Sequence, residues 1–179
     1  MLTHKEFRSC FPELGKHLNK SEIDVLLNSL EECAFEPGEA VTRDGETLDA
    51  VYFVVDGELD CYLEAGDERF QIGSINKGQY IGEMAMLDRG PATVTVIATT
   101  PVRLLRFTQE KFQAFRETRP ELANLLLHAF INMVIERLRL SDEFLLETLM
   151  KLEQEHGSFD AGNIRDSFTS IYQQLHGYE

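Results

Sequence analysis

Histidine is missing from the long stretch between His17 and His128, and cysteine is scarce throughout. Cys10, Cys33 and Cys61 are odd in number, widely spaced and never part of a C-x-x-C pair. Zinc, iron–sulfur and disulfide patterns are thereby disfavoured, and buried or free reduced thiols and no metal site are expected. The five histidines (His4, His17, His128, His156 and His176) all fall in helical or terminal segments. Neither a histidine-bearing barrel for a catalytic metal nor a Ser-His-Asp or Cys-His arrangement has its parts, so no enzyme is expected. Basic residues are few: 17 Lys and Arg stand against 31 Asp and Glu, a formal charge of −14. No basic run exceeds two residues, which disfavours nucleic acid and anionic membrane surfaces as partners. Long apolar runs are absent too, and "MLTHKEFRSCFPEL" at the start has mixed charge and no hydrophobic segment. No membrane span is expected, and a cytoplasmic protein is.

What is present divides into helical, strand-rich and helical thirds. In "LNKSEIDVLLNSLEEC", Ser21 with Asp24 three residues on predicts a helix start, and Ile23, Leu26, Leu27 and Leu30 follow at helical spacing. From Ala34 to Phe107 the apolar period becomes two, and glycines 38, 45, 57, 66, 73, 78, 82 and 90 punctuate short strands. That predicts a mostly β domain with flanking α: a jelly-roll-like β-roll. Within it "VYFVVDGELDCYLEA" predicts a hairpin turning at Asp56-Gly57. Val102, Leu104, Leu105 and Phe107 form the closing strand, and Thr108 caps a short helix bearing Phe112 and Phe115. Pro120 suits the first turn of another helix, and from Glu121 to His156 there is neither Gly nor Pro. Such a helix is roughly 50 Å long. Its stripe of Leu122, Leu126, Ala129, Met133, Leu138, Leu145, Leu149 and Leu152 suits a second copy of the chain or a fold-back onto its own domain. After "GSFDAG" a last short helix is expected from Asn163 to His176. The expected segments are 1–33 (helical), 34–118 (the roll with its following short helix), 119–156 (the long helix) and 157–179 (the last helix).

These motifs, in order and at their spacings, resemble the cyclic nucleotide-binding domain of the catabolite activator protein and the kinase regulatory subunits. Carrying the resemblance are Pro37-Gly38-Glu39, Gly45, Asp49, "VYFVVDGEL" (51–59), "KGQYIGEMAML" (77–87), Pro91, "TVIA" (95–98), "RLLRF" and Glu136-Arg137-Leu138. The resemblance covers about Ser21 to Arg139. It implies a double-stranded β-helix roll with an N-terminal helix and a long C-terminal helix, and a regulatory rather than enzymatic role. It further implies a cyclic nucleotide as possible ligand and a regulatory relay to an unidentified protein partner; the long apolar stripe leads to the expectation of a homodimer through helix 119–156. Relatives of the activator type end in a helix-turn-helix, for which only one short helix with a single Arg165 remains after Gly157.

In that family the ligand lies in a cassette reading approximately F-G-E-L-A-L, a few residues, then P-R-A-A-T-V. Glycine lets the backbone approach, short-helix amides face the phosphate, the glutamate accepts the ribose hydroxyl, and the arginine pairs with the phosphate. On "YIGEMAMLDRGPATVTVIATT" the resemblance places Gly82 and Glu83 on G-E, with Met84 and Ala85 in the apolar turn. Met84 and Met86 otherwise read as packing residues rather than a redox pair. Pro91 and Thr95-Val96 also match, and the arginine position falls on Ala92. Losing one partner of a desolvated charge pair costs about 2–5 kcal/mol, enough to carry a micromolar site to about millimolar. Thr93 offers one neutral hydroxyl, and such a bond contributes about 0.5–1.5 kcal/mol. Arg89, three residues earlier, either supplies the missing cation or is an exposed loop residue beside Asp88. Two roles follow: a sensor of a cyclic nucleotide or related small ligand, or a degenerate dimerisation and interaction scaffold.

Overall fold

The computed structural model describes residues 2–66 and 68–156; the helix expected from Asn163 to His176 lies outside them. Residues 1–134 make one compact unit, and residue 135 onward belongs to a second.

Three helices open the first unit: α1 (His4–Cys10), α2 (Pro12–Gly15) and α3 (Lys20–Ser29). The α3 start departs from expectation. Its cap is Asn19, whose side chain accepts from the Glu22 N–H at 3.0 Å while the Glu22 carboxylate takes the Asn19 N–H at 2.7 Å. The overlapping Ser21/Asp24 pair loses because aspartate, one methylene shorter than glutamate, reaches back less well to close the reciprocal bond.

Eight strands follow: β1 (Glu31–Phe35), β2 (Ala40–Thr42), β3 (Ala50–Asp56), β4 (Leu59–Ala65), β5 (Glu68–Ile75), β6 (Tyr80–Ile81), β7 (Thr95–Ala98) and β8 (Val102–Thr108). They form two four-stranded antiparallel sheets, β1-β8-β3-β6 and β2-β7-β4-β5. Apart from the β4–β5 pair, successive strands alternate between the sheets, which is the jelly-roll winding expected. One local expectation fails here. Asp56-Gly57 does not close a hairpin, because β3 and β4 lie in different sheets. Gly57, at φ +90°, turns the chain from one sheet into the other, and a Cβ there would stand 2.5 Å from Val102 Cγ1 and 2.6 Å from the Pro101 carbonyl. The hairpin partner of β4 is β5.

The β3 sequence AVYFVVD is apolar on both sides for a structural reason. Val51, Phe53 and Val55 join a core beneath the helices, while Val54 joins a second core with Leu59, Ile75, Val96, Ala98, Val102 and Leu104. The first sheet is therefore covered by helices on one face and by the second sheet on the other. Strand β8 divides the same way, Leu105 and Phe107 toward the helices and Leu104 toward the second sheet. Each such fully buried side chain contributes about 1.5–3 kcal/mol.

Helix α5 (Gln109–Thr118) is capped by the Thr108 hydroxyl, as its sequence indicates. Helix α6 (Pro120–His156) begins at the proline. Leu122, Leu126 and Phe130, four residues apart, are buried with Ala123 against Phe7, Phe11, Ile23, Leu26, Phe53 and Tyr80 of the helix-side core. The first part of the apolar stripe thus folds back onto its own domain, the second of the two arrangements open to it. In the second unit the described side chains Leu138, Leu140, Phe144 and Leu146 are exposed by 55–70%. Among the described residues no helix is long and apolar enough to cross a membrane.

Candidate functional site

Strand β6 delivers the chain into a tight turn at Gly82, whose φ is +82°. A Cβ there would lie 2.5 Å from Leu48 Cδ2 and 2.7 Å from the Ala50 carbonyl oxygen, so both the backbone angle and the space require glycine. The next six residues make α4 (Glu83–Asp88). Glu83 is 1% exposed, and Ala85 and Met86 are buried with it on one side. Met84 and Leu87 face the other way, 43% and 40% exposed. Met86 and Tyr80 belong to the same core as Leu126 and Phe130 of α6. The Tyr80 and Phe130 rings meet edge to face with centroids 5.4 Å apart. Burial raises the Tyr80 phenol well above its ordinary pKa, so the ring stays neutral.

Helix α4 ends at Arg89, a non-glycine residue at φ +61° whose N–H donates to the Ala85 carbonyl at 2.9 Å. Its side chain is exposed. The Asp88 carboxylate accepts from the Gly90 N–H at 2.7 Å. Beyond it the chain is stitched to the loop between β2 and β3. Pro91 bridges Thr47, the Ala92 N–H donates to the Glu46 carbonyl at 2.9 Å, and the Gly45 N–H donates to the Ala92 carbonyl at 2.9 Å. Ala92 is only 7% exposed, while Thr93 is exposed. The expected site residues therefore separate into two groups. Gly82, Glu83, Met84 and Ala85 open α4, Arg89 closes it, and Ala92 and Thr93 lie on the stitched return.

Two groups were not anticipated. Leu63 and Phe70 are directly paired across β4 and β5, and alternation along β4 puts them on the inward face with Leu59 and Cys61. They extend past the core and remain 43% and 50% exposed, with Ile72 at the bulge beside them 51% exposed. Their signal was the alternation in "CYLEAGDERFQI", which looks the same whether a strand ends in core or in an open surface. The opposite face of β4 carries the charge. The Glu64 carboxylate accepts from the Thr95 hydroxyl at 3.0 Å and from Arg69 at 2.9 Å, and Arg69 lies over the Tyr62 ring at 5.6 Å. Thr95 also accepts from the Asp44 N–H at 3.1 Å.

The Thr95 hydroxyl foremost, and then Arg69, hold the Glu64 carboxyl below its ordinary value of 4.5. A depressed carboxyl contributes stability above its unfolded pKa and loses it as pH falls through the folded one. Glu64→Gln is therefore expected to narrow the difference in melting temperature between pH 7 and an acidic buffer below the ordinary carboxylate value. Thermal melts across that range check this, and an unchanged difference would show the pair to be inert.

Residues 32–119 match the family model described as the cyclic nucleotide-binding domain. This segment belongs to that family. The chain is 30% identical over 108 residues to the cAMP-dependent protein kinase type II regulatory subunit of Drosophila melanogaster, covering 60% of this chain and 28% of that protein. It is 32% identical over 127 residues to the potassium/sodium hyperpolarization-activated cyclic nucleotide-gated channel 3 of Mus musculus, covering 70% of this chain and 15% of the channel. The fold resembles a cyclic nucleotide-binding domain from Methylobacillus flagellatus, with a TM-score of 0.74, 19% identity, and coverage of 81% of this chain and 85% of that one. The chain therefore spans less than a third of the length of these two curated relatives. Those relatives are regulatory and channel proteins by name.

Proposed function

We propose that this chain is a non-enzymatic sensor: its roll takes a cyclic nucleotide or related small ligand at the α4 cassette and relays occupancy through α6 to a partner protein. One observation carries the reading. The cassette that begins at Gly82-Glu83 follows Tyr80 by two residues, and Tyr80 and Met86 share a core with Leu126 and Phe130. A ligand that draws in α4 changes what α6 packs against, which is the differential contact any relay requires. In this reading Gly82, Glu83, Met84, Ala85 and Thr93 line the ligand, Ala92 occupies the phosphate-contact position, and Arg89 stands at the far end of α4.

The test is a thermal melt of the purified chain with millimolar cyclic AMP, cyclic GMP, adenosine and guanosine. A ligand at one hundred times its dissociation constant adds about 2.7 kcal/mol, equivalent to a rise of about 5–10 °C for a chain of this size. No rise with any of them would favour the second reading, a scaffold without a ligand, for which Ala92 is the supporting observation.

Dimerisation belongs to the same proposal. Ile135, Leu138 and Leu145 recur at heptad spacing along α6 and are 39%, 60% and 37% exposed. A second copy of the chain covers such a stripe. Light scattering should give about twice the 20.5 kDa chain mass, and Leu138→Glu should return it to one. A monomeric wild type at micromolar concentration would contradict this.

A further inference from the structure

We infer that the ligand of this roll carries no phosphate: it is an uncharged ring compound with hydroxyl groups, of the nucleoside class. The inference rests on the sensor reading above and narrows its ligand.

The charge around the cassette decides it. Where the family's arginine falls, the chain has Ala92, buried and tied by both backbone hydrogen bonds to Gly45 and Glu46, so the position is filled and fixed. Of the cations close by in the chain, Arg43 and Arg69 are paired with carboxylates, and Arg89 is exposed at the end of α4. Arg43 lies 3.9 Å from Glu46, and Arg69 pairs with Glu64 on the outward face of β4. Arg89 ends α4 six residues after Glu83, about 9 Å along the helix axis. Acids outnumber these cations: Asp44 lies on the stitched loop, Glu83 at the start of α4 and Asp88 at its end, while Glu46 is offset by Arg43. A phosphate brought there meets a carboxyl excess, and like charges in a partly desolvated site repel strongly.

What remains favourable is hydrogen-bonding and apolar. Glu83, a buried acceptor, suits a hydroxyl donor. Tyr62 pairs with Thr95 in the β4–β7 register, so the next residue, Leu63, runs level with the end of the cassette return. Leu63 and Phe70 there present an inward apolar surface that the protein core does not cover, and a flat ring fits it. An uncharged heterocycle bearing a sugar uses both features and avoids the carboxyls.

Titration calorimetry of the full chain with adenosine, guanosine, cyclic AMP and cyclic GMP tests this. At least one nucleoside should bind tenfold or more tightly than its own cyclic nucleotide. Phe70→Ser and Glu83→Gln should each weaken that nucleoside at least tenfold, with circular dichroism confirming the fold. A cyclic nucleotide that binds wild type as tightly as its nucleoside overturns the inference, whatever the variants do. Ala92→Arg separates the two levels of failure. If no nucleoside binds wild type but cyclic AMP binds A92R, the inference falls and the cassette remains a ligand site. If neither binds, both readings fall.

Discussion

Gly82→Ala is expected to lower the melting temperature by about 5–15 °C and to remove any ligand-induced rise. Two independent costs meet at this residue. An L-residue at φ +82° is strained, and the added methyl would sit 2.5 Å from Leu48 Cδ2 and 2.7 Å from the Ala50 carbonyl. Leucine can rotate away, but the carbonyl belongs to the first residue of β3 and moves only with the sheet. Together these are worth about 2–4 kcal/mol. Relief by shifting α4 would displace Glu83, so stability and ligand response should fall together. A melt of G82A with and without ligand checks this. A variant that keeps its ligand-induced rise while losing stability would detach the turn from the site.

Phe130→Ala is expected to cost about 3–5 kcal/mol, a drop of about 6–20 °C. Phe130 is fully buried, its ring 5.4 Å from Tyr80 and 6.1 Å from Phe53, and those two rings meet each other at 5.0 Å. Phe11 completes the cluster against Phe53 and Tyr80. Truncation leaves a cavity that four rigid elements cannot close, and each lost edge-to-face contact adds to it. In the proposed sensor reading the same cluster is the route from cassette to α6. In F130A, hydrogen exchange across residues 120–134 should cease to respond to ligand even where binding persists. A response preserved in the variant would show that the relay runs elsewhere.

The fold was legible because its signals were redundant. Alternation, glycine spacing, the Thr108 cap and Pro120 all agreed, and each corresponds to an observed element. Asp56-Gly57 misled because a turn signal reports a reversal of the chain, not which sheet receives the next strand. Here a side chain in place of the glycine would meet Val102 and the Pro101 carbonyl, a constraint set by tertiary structure. Ser21/Asp24 misled because Asn19/Glu22 offers the same pattern two residues earlier with a longer acid.

The turn at Gly82 and Glu83 and the apolar residues after it were legible in the sequence, as was the alanine at position 92. Their surroundings were not. Nothing in the order of residues shows that Ala92 is tied to Gly45 and Glu46, or that Arg69 and Glu64 sit on the face of β4 away from Leu63 and Phe70. Those facts depend on strand register, where a shift of one residue exchanges the faces.

Restoring the arginine is the most direct test of the cassette as a working site with its phosphate contact deleted. Cyclic AMP titrated into Ala92→Arg should bind tens to thousands of times more tightly than into wild type, since a desolvated phosphate pair is worth about 2–5 kcal/mol. A folded A92R that binds cyclic AMP no better than wild type would contradict it.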